Sequence, residues 1–208
     1  MIEFDRADRC FENIVVLMTN YTCYGCGLDV TLHGFMKKLH SGMSMVFEGN
    51  PKGANELLGF HPYELMEAIA KNNNWPSSLK FDEISLEKNE HCKKEAINSQ
   101  VISSNVHTFI QNLSIMSNFV YYFEYIKDTI VRKYGPNPYE WPSTLNFARV
   151  IRNAFAHGGK IYFENLNSPP VNWKGYNYSP ADNGREILFN DFYIPEIVLL
   201  LKEIDALL

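Results

Sequence analysis

Two arginines, an amide and an imidazole fall close together near the end of one short segment. Arg149, Asn153 and His157 are spaced i, i+4, i+8, and Arg152 lies beside that row. On a helix turning about 100° per residue they share one face. Phe147, Ala148, Val150, Ile151, Ala154 and Phe155 gather on the other. Arginine grips phosphate in a planar, bidentate way. Imidazole moves protons near neutral pH, and the carbonyl end of a helix favours its charged form. No carboxylate shares this face. The set suits phosphodiester chemistry without a metal. The plainer account is the solvated polar side of an amphipathic helix.

The elements around it must hold that face in place. Ser143 is the expected N-cap of a helix over 143–158, and Gly158-Gly159 ends it. Before it, Ile102, Val106, Phe109, Leu113, Met116, Val120, Phe123 and Ile130 recur at three and four. That stripe, widened by Ile110, Phe119, Ile126 and Val131, predicts one long core helix ending at Gly135-Pro136. Pro136, Pro138 and Pro142 form a stiff connector. Beyond the motif, Lys160–Phe163, Val171–Tyr178 and Arg185–Phe189 have strand character, with turns at Ser168-Pro169-Pro170 and Asp182-Asn183-Gly184. A last helix is expected over 195–208. In the first half, 4–21 reads as a helix with Asp5 at its cap, 22–60 as turns and short helical pieces, and 62–72 as a helix opening on Pro62. The polar stretch 77–95 reads as one more exposed helix. The expected fold is therefore mainly all-α. It is an antiparallel helical bundle with a small β-hairpin or meander before the last helix.

The string Arg152-Asn153-Ala154-Phe155-Ala156-His157 resembles the signature of the HEPN superfamily. That signature is an Arg, then a polar residue, then a His with four to six residues between it and the Arg. The longer run from Asn146 to Gly159, with Pro169-Pro170-Val171-Asn172-Trp173-Lys174-Gly175 and Asp182-Asn183-Gly184-Arg185, resembles an uncharacterised bacterial branch. The resemblance implies a single HEPN-like domain over 1–208. Its recognisable core is 101–208, and 1–100 supplies N-terminal helices and an irregular insertion. It further implies a homodimeric, metal-independent endoribonuclease, often a toxin or antiviral effector, whose Arg and His meet at the interface. His157 would transfer protons, Arg152 would hold the scissile phosphate, and Asn153 would orient either. A protein antitoxin or inhibitor is an implied partner. Some members do not cleave RNA. The alternative is thus a non-catalytic HEPN-like dimer that binds a nucleotide, RNA or a protein. A third reading has the polar face merely pairing subunits, with Arg152 bound to a carboxylate.

Charge and composition bound these readings. The 208 residues are 46% hydrophobic and 21% charged, with net charge −5, which excludes a disordered chain and one that coats DNA without specificity. Between Leu145 and Arg185 five basic residues stand against two acidic ones, a net +3, so the rest carries −8. Arg149, Lys160, Lys174 and Arg185 are therefore the expected substrate-binding cations. Trp173, Tyr176 and Tyr178 could stack on unpaired bases, or, more simply for Trp173, pack the small sheet. Charges through the first twenty residues and no long apolar run point to a cytoplasmic protein without a membrane segment. No cofactor and no metal are expected. Cys23-x-x-Cys26, with His33 and His40 after it, has metal-ligand spacing but no second pair. Cys10, Cys23, Cys26 and Cys92 read as reduced thiols, mostly small and buried.

Overall fold

The computed structural model describes residues 1–33, 45–48, 57–72, 75–83 and 105–208. They form two compact units, one built from described residues up to Ser114 and one from Ile115–Leu208. The molecule is mainly helical with small antiparallel sheets.

The first unit contains strands β1 (Ile2–Asp5), β2 (Met45–Glu48), β3 (Leu57–Phe60) and β4 (Ser78–Glu83), and helices α1 (Phe11–His33) and α2 (Pro62–Asn72). The strands form one antiparallel sheet in the order β1-β4-β3-β2. Three expectations are corrected here, the third being 22–60, read as turns and short helical pieces, where α1 continues and β2 and β3 lie. Residues 4–10 are not the start of a helix. Phe4 is buried in β1 against the edge of Phe81, ring centroids 6.0 Å apart. Asp5 and Asp8 then tighten the turn into α1: the Asp5 carboxylate accepts from the Ala7 amide and the Asp8 carboxylate from the Asp5 amide. The stretch 77–95 begins as a strand, with Leu79 and Phe81 buried and Lys80 exposed, the period-2 pattern of a half-buried strand. Residues 84–95 lie outside the described part. Helix α1 also runs through Gly25 and Gly27, placed among turns by composition. Each glycine costs a helix only about 1 kcal/mol, and the buried side of Phe11, Ile14, Val15, Leu17 and Met18 holds the first half. Helix α2 opens on Pro62 and ends at Asn72, as its residues predict.

Helix α3 spans Asn105–Tyr134. Its buried stripe differs from the expected one. Ile115, Phe119, Tyr122, Phe123, Ile126 and Ile130 are buried, whereas Phe109 and Leu113 are 65% and 49% exposed. The side chain of Val106, and Ile102 altogether, lie outside the described part.

In the second unit α3 packs against α4 (Ser143–Ala156) and α5 (Ile194–Leu207), and the hairpin of β5 (Val171–Trp173) and β6 (Tyr176–Tyr178) packs on α4. The Pro-rich connector holds a single 3₁₀ turn, Pro138–Glu140. Helices α3 and α4 run antiparallel, since Phe119 meets Phe155 edge-on at 5.5 Å and Glu124 meets Arg152. The end of α5 is tied down by the Tyr122 hydroxyl, which donates to Asp205, and by Lys133 Nζ and the Tyr134 hydroxyl, which donate to the Leu207 carbonyl. Ser143 is not the cap of α4. Pro142 occupies that position with no side-chain capping bond, and its carbonyl accepts from the Asn146 amide.

The hairpin turn is Lys174-Gly175, with φ of 42° and 86°. Positive φ at both central residues marks the turn whose twist suits a two-residue hairpin. Trp173 and Tyr178 stack on Phe147 of α4 at 5.5 and 5.7 Å. The Glu203 carboxylate of α5 accepts from Trp173 Nε1 at 2.7 Å and pairs with Lys174 at 3.0 Å. Glu203→Ala is expected to cost about 1–3 kcal/mol, because it leaves a part-buried indole N–H unpaired. A lower urea midpoint than wild type checks this.

Burial and the neighbouring Asp191 push the Tyr178 hydroxyl far above its ordinary value near 10. The folded chain therefore holds that proton more tightly than the unfolded chain. The resulting stability is complete below the unfolded value and drains away as pH rises through and beyond it. Urea midpoints between pH 8 and pH 11 should fall more steeply for wild type than for Tyr178→Phe.

Candidate functional site

Helix α4 buries Leu145, Phe147, Ala148, Val150, Ile151, Ala154 and Phe155. That apolar side fixes the helix rotation, and the opposite side carries Arg149, Arg152, Asn153 and, one residue past the helix, His157. The row expected on α4 is therefore present, although the four side chains engage different partners.

Arg149 is held within its own turn. Its Nε and Nη2 donate to Asn146 Oδ1 at 3.1 and 2.9 Å, and its guanidinium lies over the Tyr139 ring at 5.9 Å. Burial draws its pKa below the usual arginine value, with Tyr139 working in the other direction.

Arg152 reaches across to α3. Its Nη2 meets Glu124 Oε1 at 2.5 Å, and its Nη1 donates to Asn153 Oδ1 at 3.1 Å. The Arg152 side chain is 29% exposed and that of Glu124 is 40% exposed. Arg152 Nε is buried and donates to no acceptor. The second Glu124 oxygen faces Lys127 at 3.8 Å. Asn153 thus touches the arginine, and the face does have a carboxylate beside it. That carboxylate is supplied by α3, so no inspection of α4 alone could find it.

His157 is the C-cap residue of α4. Its amide donates to the Asn153 and Ala154 carbonyls at 3.1 and 3.0 Å. Gly158 and Gly159 follow with φ of 71° and 83° and turn the chain back. Tyr162 is thereby brought against the imidazole, ring centroids 4.1 Å apart and planes 36° apart. The imidazole is exposed and Tyr162 is 40% exposed. Sequence reasoning missed both Glu124 and Tyr162. Tyr162 had one local signal, the double glycine that reverses the chain three and four residues ahead of it.

The remaining cations each have carboxylate neighbours. Lys160 faces Glu186 at 3.5 Å across a β-bridge, and Lys174 faces Glu203. Arg185 Nη2 meets Asp191 Oδ2 at 2.7 Å, and its Nη1 lies 3.5 Å from Asp182. Hydrogen bonding to Asp191 strengthens the hold of Arg185 on its proton.

The expected stacking platform is corrected. Trp173, Tyr176 and Tyr178 are all buried and pack with Phe147 and Phe192. A ring committed to a core cannot also offer its face to a base. In the second unit the exposed rings belong instead to Tyr121, Tyr125, Tyr139 and Tyr162.

Among the described residues no cluster of three or more His, Cys, Asp or Glu side chains is arranged to hold a metal ion. Cys10 is a buried free thiol, whereas Cys23 is an exposed one, contrary to its reading as small and buried. The side chains of Cys26 and His33, with His40 and Cys92, lie outside the described part, as do His91 and the side chain of His107. His61 Nε2 lies 3.0 Å from Asp82 Oδ2 and joins the end of β3 to β4. Among the described residues no helix is long and apolar enough to cross a membrane. The chain matches no protein-family model, no curated protein and no solved structure.

Proposed function

We propose that the protein is a metal-independent endoribonuclease of HEPN type, acting as a homodimer in which the α4 faces of two copies meet. The single observation that carries this reading is the α4 terminus. There an exposed imidazole, His157, follows a part-exposed guanidinium, Arg152, by five residues on a rigidly backed helix. A guanidinium offers paired donors to a phosphodiester, and an imidazole exchanges the proton that its cleavage requires. The substrate is RNA, because the ribose 2′-hydroxyl supplies a nucleophile without a metal-bound water. Arg149 serves the RNA backbone by exchanging the Asn146 amide for phosphate, and Lys160, Lys174 and Arg185 by exchanging their carboxylate partners. A toxin or antiviral role, a neutralising protein partner and a cytoplasmic setting belong to this same reading.

The Arg152–Glu124 pair is the contact expected of the third reading, in which the polar face merely pairs subunits. The nuclease also stands against a non-catalytic dimer that binds a nucleotide, RNA or protein through the same face. The two are separated by incubating the pure protein with mixed RNAs in EDTA, beside Arg152→Ala and His157→Ala. Cleavage lost in both variants supports the nuclease. No cleavage, together with ligand-dependent thermal stabilisation, supports the binding protein.

A further inference from the structure

An imidazole that transfers protons has to be aimed. The usual device is a hydrogen bond that its second nitrogen donates to a carbonyl or a carboxylate. Among the described residues neither ring nitrogen of His157 has a hydrogen-bond partner. The contact this ring makes is with Tyr162, centroids 4.1 Å apart and planes 36° apart. We infer that Tyr162 is the positioning residue for His157, and that a ring face does here what a hydrogen bond does elsewhere. This inference rests on the endoribonuclease reading and names how its proton-transfer group is held.

Tyr162 can aim another group because its own backbone is fixed on both sides. Ile161 and Phe163 are buried while Tyr162 between them is exposed, the alternation of an extended segment. The Ile161 amide donates to the Arg185 carbonyl, and the Ile161 carbonyl accepts from the Gly184 amide, both at 2.9 Å. The Phe163 amide donates to Asn183 Oδ1 at 2.7 Å, and its carbonyl accepts from Asn183 Nδ2 at 3.0 Å. One residue earlier, Lys160 bridges to Glu186. The segment is therefore pinned by 183–186, and its outward ring is set against the imidazole.

The arrangement suits an imidazole that must exchange protons. An exposed histidine hops between rotamers on the picosecond to nanosecond scale, and a fixed ring beside it narrows that choice. A tilted stack engages ring faces, whereas protons leave and arrive at the nitrogens on the ring edge. Both nitrogens of His157 thus stay open to a substrate or to water. The Tyr162 hydroxyl has no hydrogen-bond partner among the described residues, so its ring alone carries the role.

Tyr162→Ala removes the ring and Tyr162→Phe keeps it, and the pair is the test. The His157 ring protons, assigned in an aromatic carbon–proton NMR spectrum by their loss in His157→Ala, should lie upfield in wild type and in Tyr162→Phe. In Tyr162→Ala they should move to the position of a solvent-exposed histidine. Melting temperatures should agree within about a degree or two, because the backbone bonds and the burial of Ile161 and Phe163 remain. In RNA cleavage in EDTA, kcat is expected to fall about 3–10-fold in Tyr162→Ala, the worth of one aromatic pair, with KM unchanged. Tyr162→Phe should cleave as wild type does. A raised KM with kcat unchanged overturns the inference, because Tyr162 would then hold substrate rather than aim the imidazole. Ring protons that do not move, wild-type kcat in Tyr162→Ala, or a Tyr162→Phe as slow as Tyr162→Ala also overturn it. In each of these cases an inactive His157→Ala leaves the nuclease reading standing. No cleavage by the wild-type protein overturns both.

Discussion

Replacing His157 by alanine is expected to reduce RNA cleavage in EDTA by about 10²–10⁴-fold, the usual worth of a positioned proton-transfer group. The substitution is clean. His157 lies past the last residue of α4, its side chain is exposed, and the capping bonds to Asn153 and Ala154 come from its backbone amide. The melting temperature should stay within about a degree or two of wild type, as surface changes away from structural features cost little. Loss of activity together with loss of stability would mean that the imidazole holds the fold. Unchanged cleavage would remove it from the chemistry. Arg152→Ala is a less clean partner experiment, since it strands Glu124. Arg152→Lys is the better companion: it keeps the charge and discards the paired donors.

The largest effect on stability is expected at Phe147. Phe147→Ala should cost about 3–5 kcal/mol, measured as a fall in the urea midpoint with little change in slope. Phe147 is fully buried, and its ring lies within 5.5–6.2 Å of Trp173, Tyr176, Tyr178 and Phe192. It is the residue through which α4 grips the hairpin and the loop before α5. A void there has no flexible neighbour to fill it, because four surrounding rings are rigid and mutually packed. Phe147→Leu should recover a good part of the loss. An alanine variant as stable as wild type would mean that the hairpin is not seated on α4.

How far the sequence foretold this can be judged from individual elements. Helix α4 was legible because its apolar positions recur with helical period and two glycines follow it. The last helix, the opening of α2 on Pro62 and the end of α3 at Gly135 were readable for similar local reasons. The sheet of the first half was not. Its strands β1, β2 and β3 are four residues each, too short to show alternation, and they gain their hydrogen bonds from partners far along the chain. Strand β4 did alternate, but its charged residues resembled an exposed helix. On α3 the apolar pattern was broad enough to admit two stripes. Only packing decided that Ile115 and Tyr122 turn inward while Phe109 and Leu113 stay out.

The site was half legible. Arg149, Arg152, Asn153 and His157 announce themselves by helical spacing on one element. Glu124 does not, because its partner is 28 positions away on a helix of opposite direction. The aromatic residues after α4 were legible by type but not by role. Composition cannot distinguish a ring that stacks on a ligand from one that fills a core, and Trp173, Tyr176 and Tyr178 fill a core.

Helix α4 stops one residue short of His157, and the two glycines return the chain so that Tyr162 lies on the imidazole. The scaffold and the reactive ring are thus under separate control. Drift in the short return segment can retune imidazole orientation, and on the proposed nuclease function catalytic speed with it, while the packed interior goes untouched. A lineage of such proteins could adjust potency without risking its ability to fold.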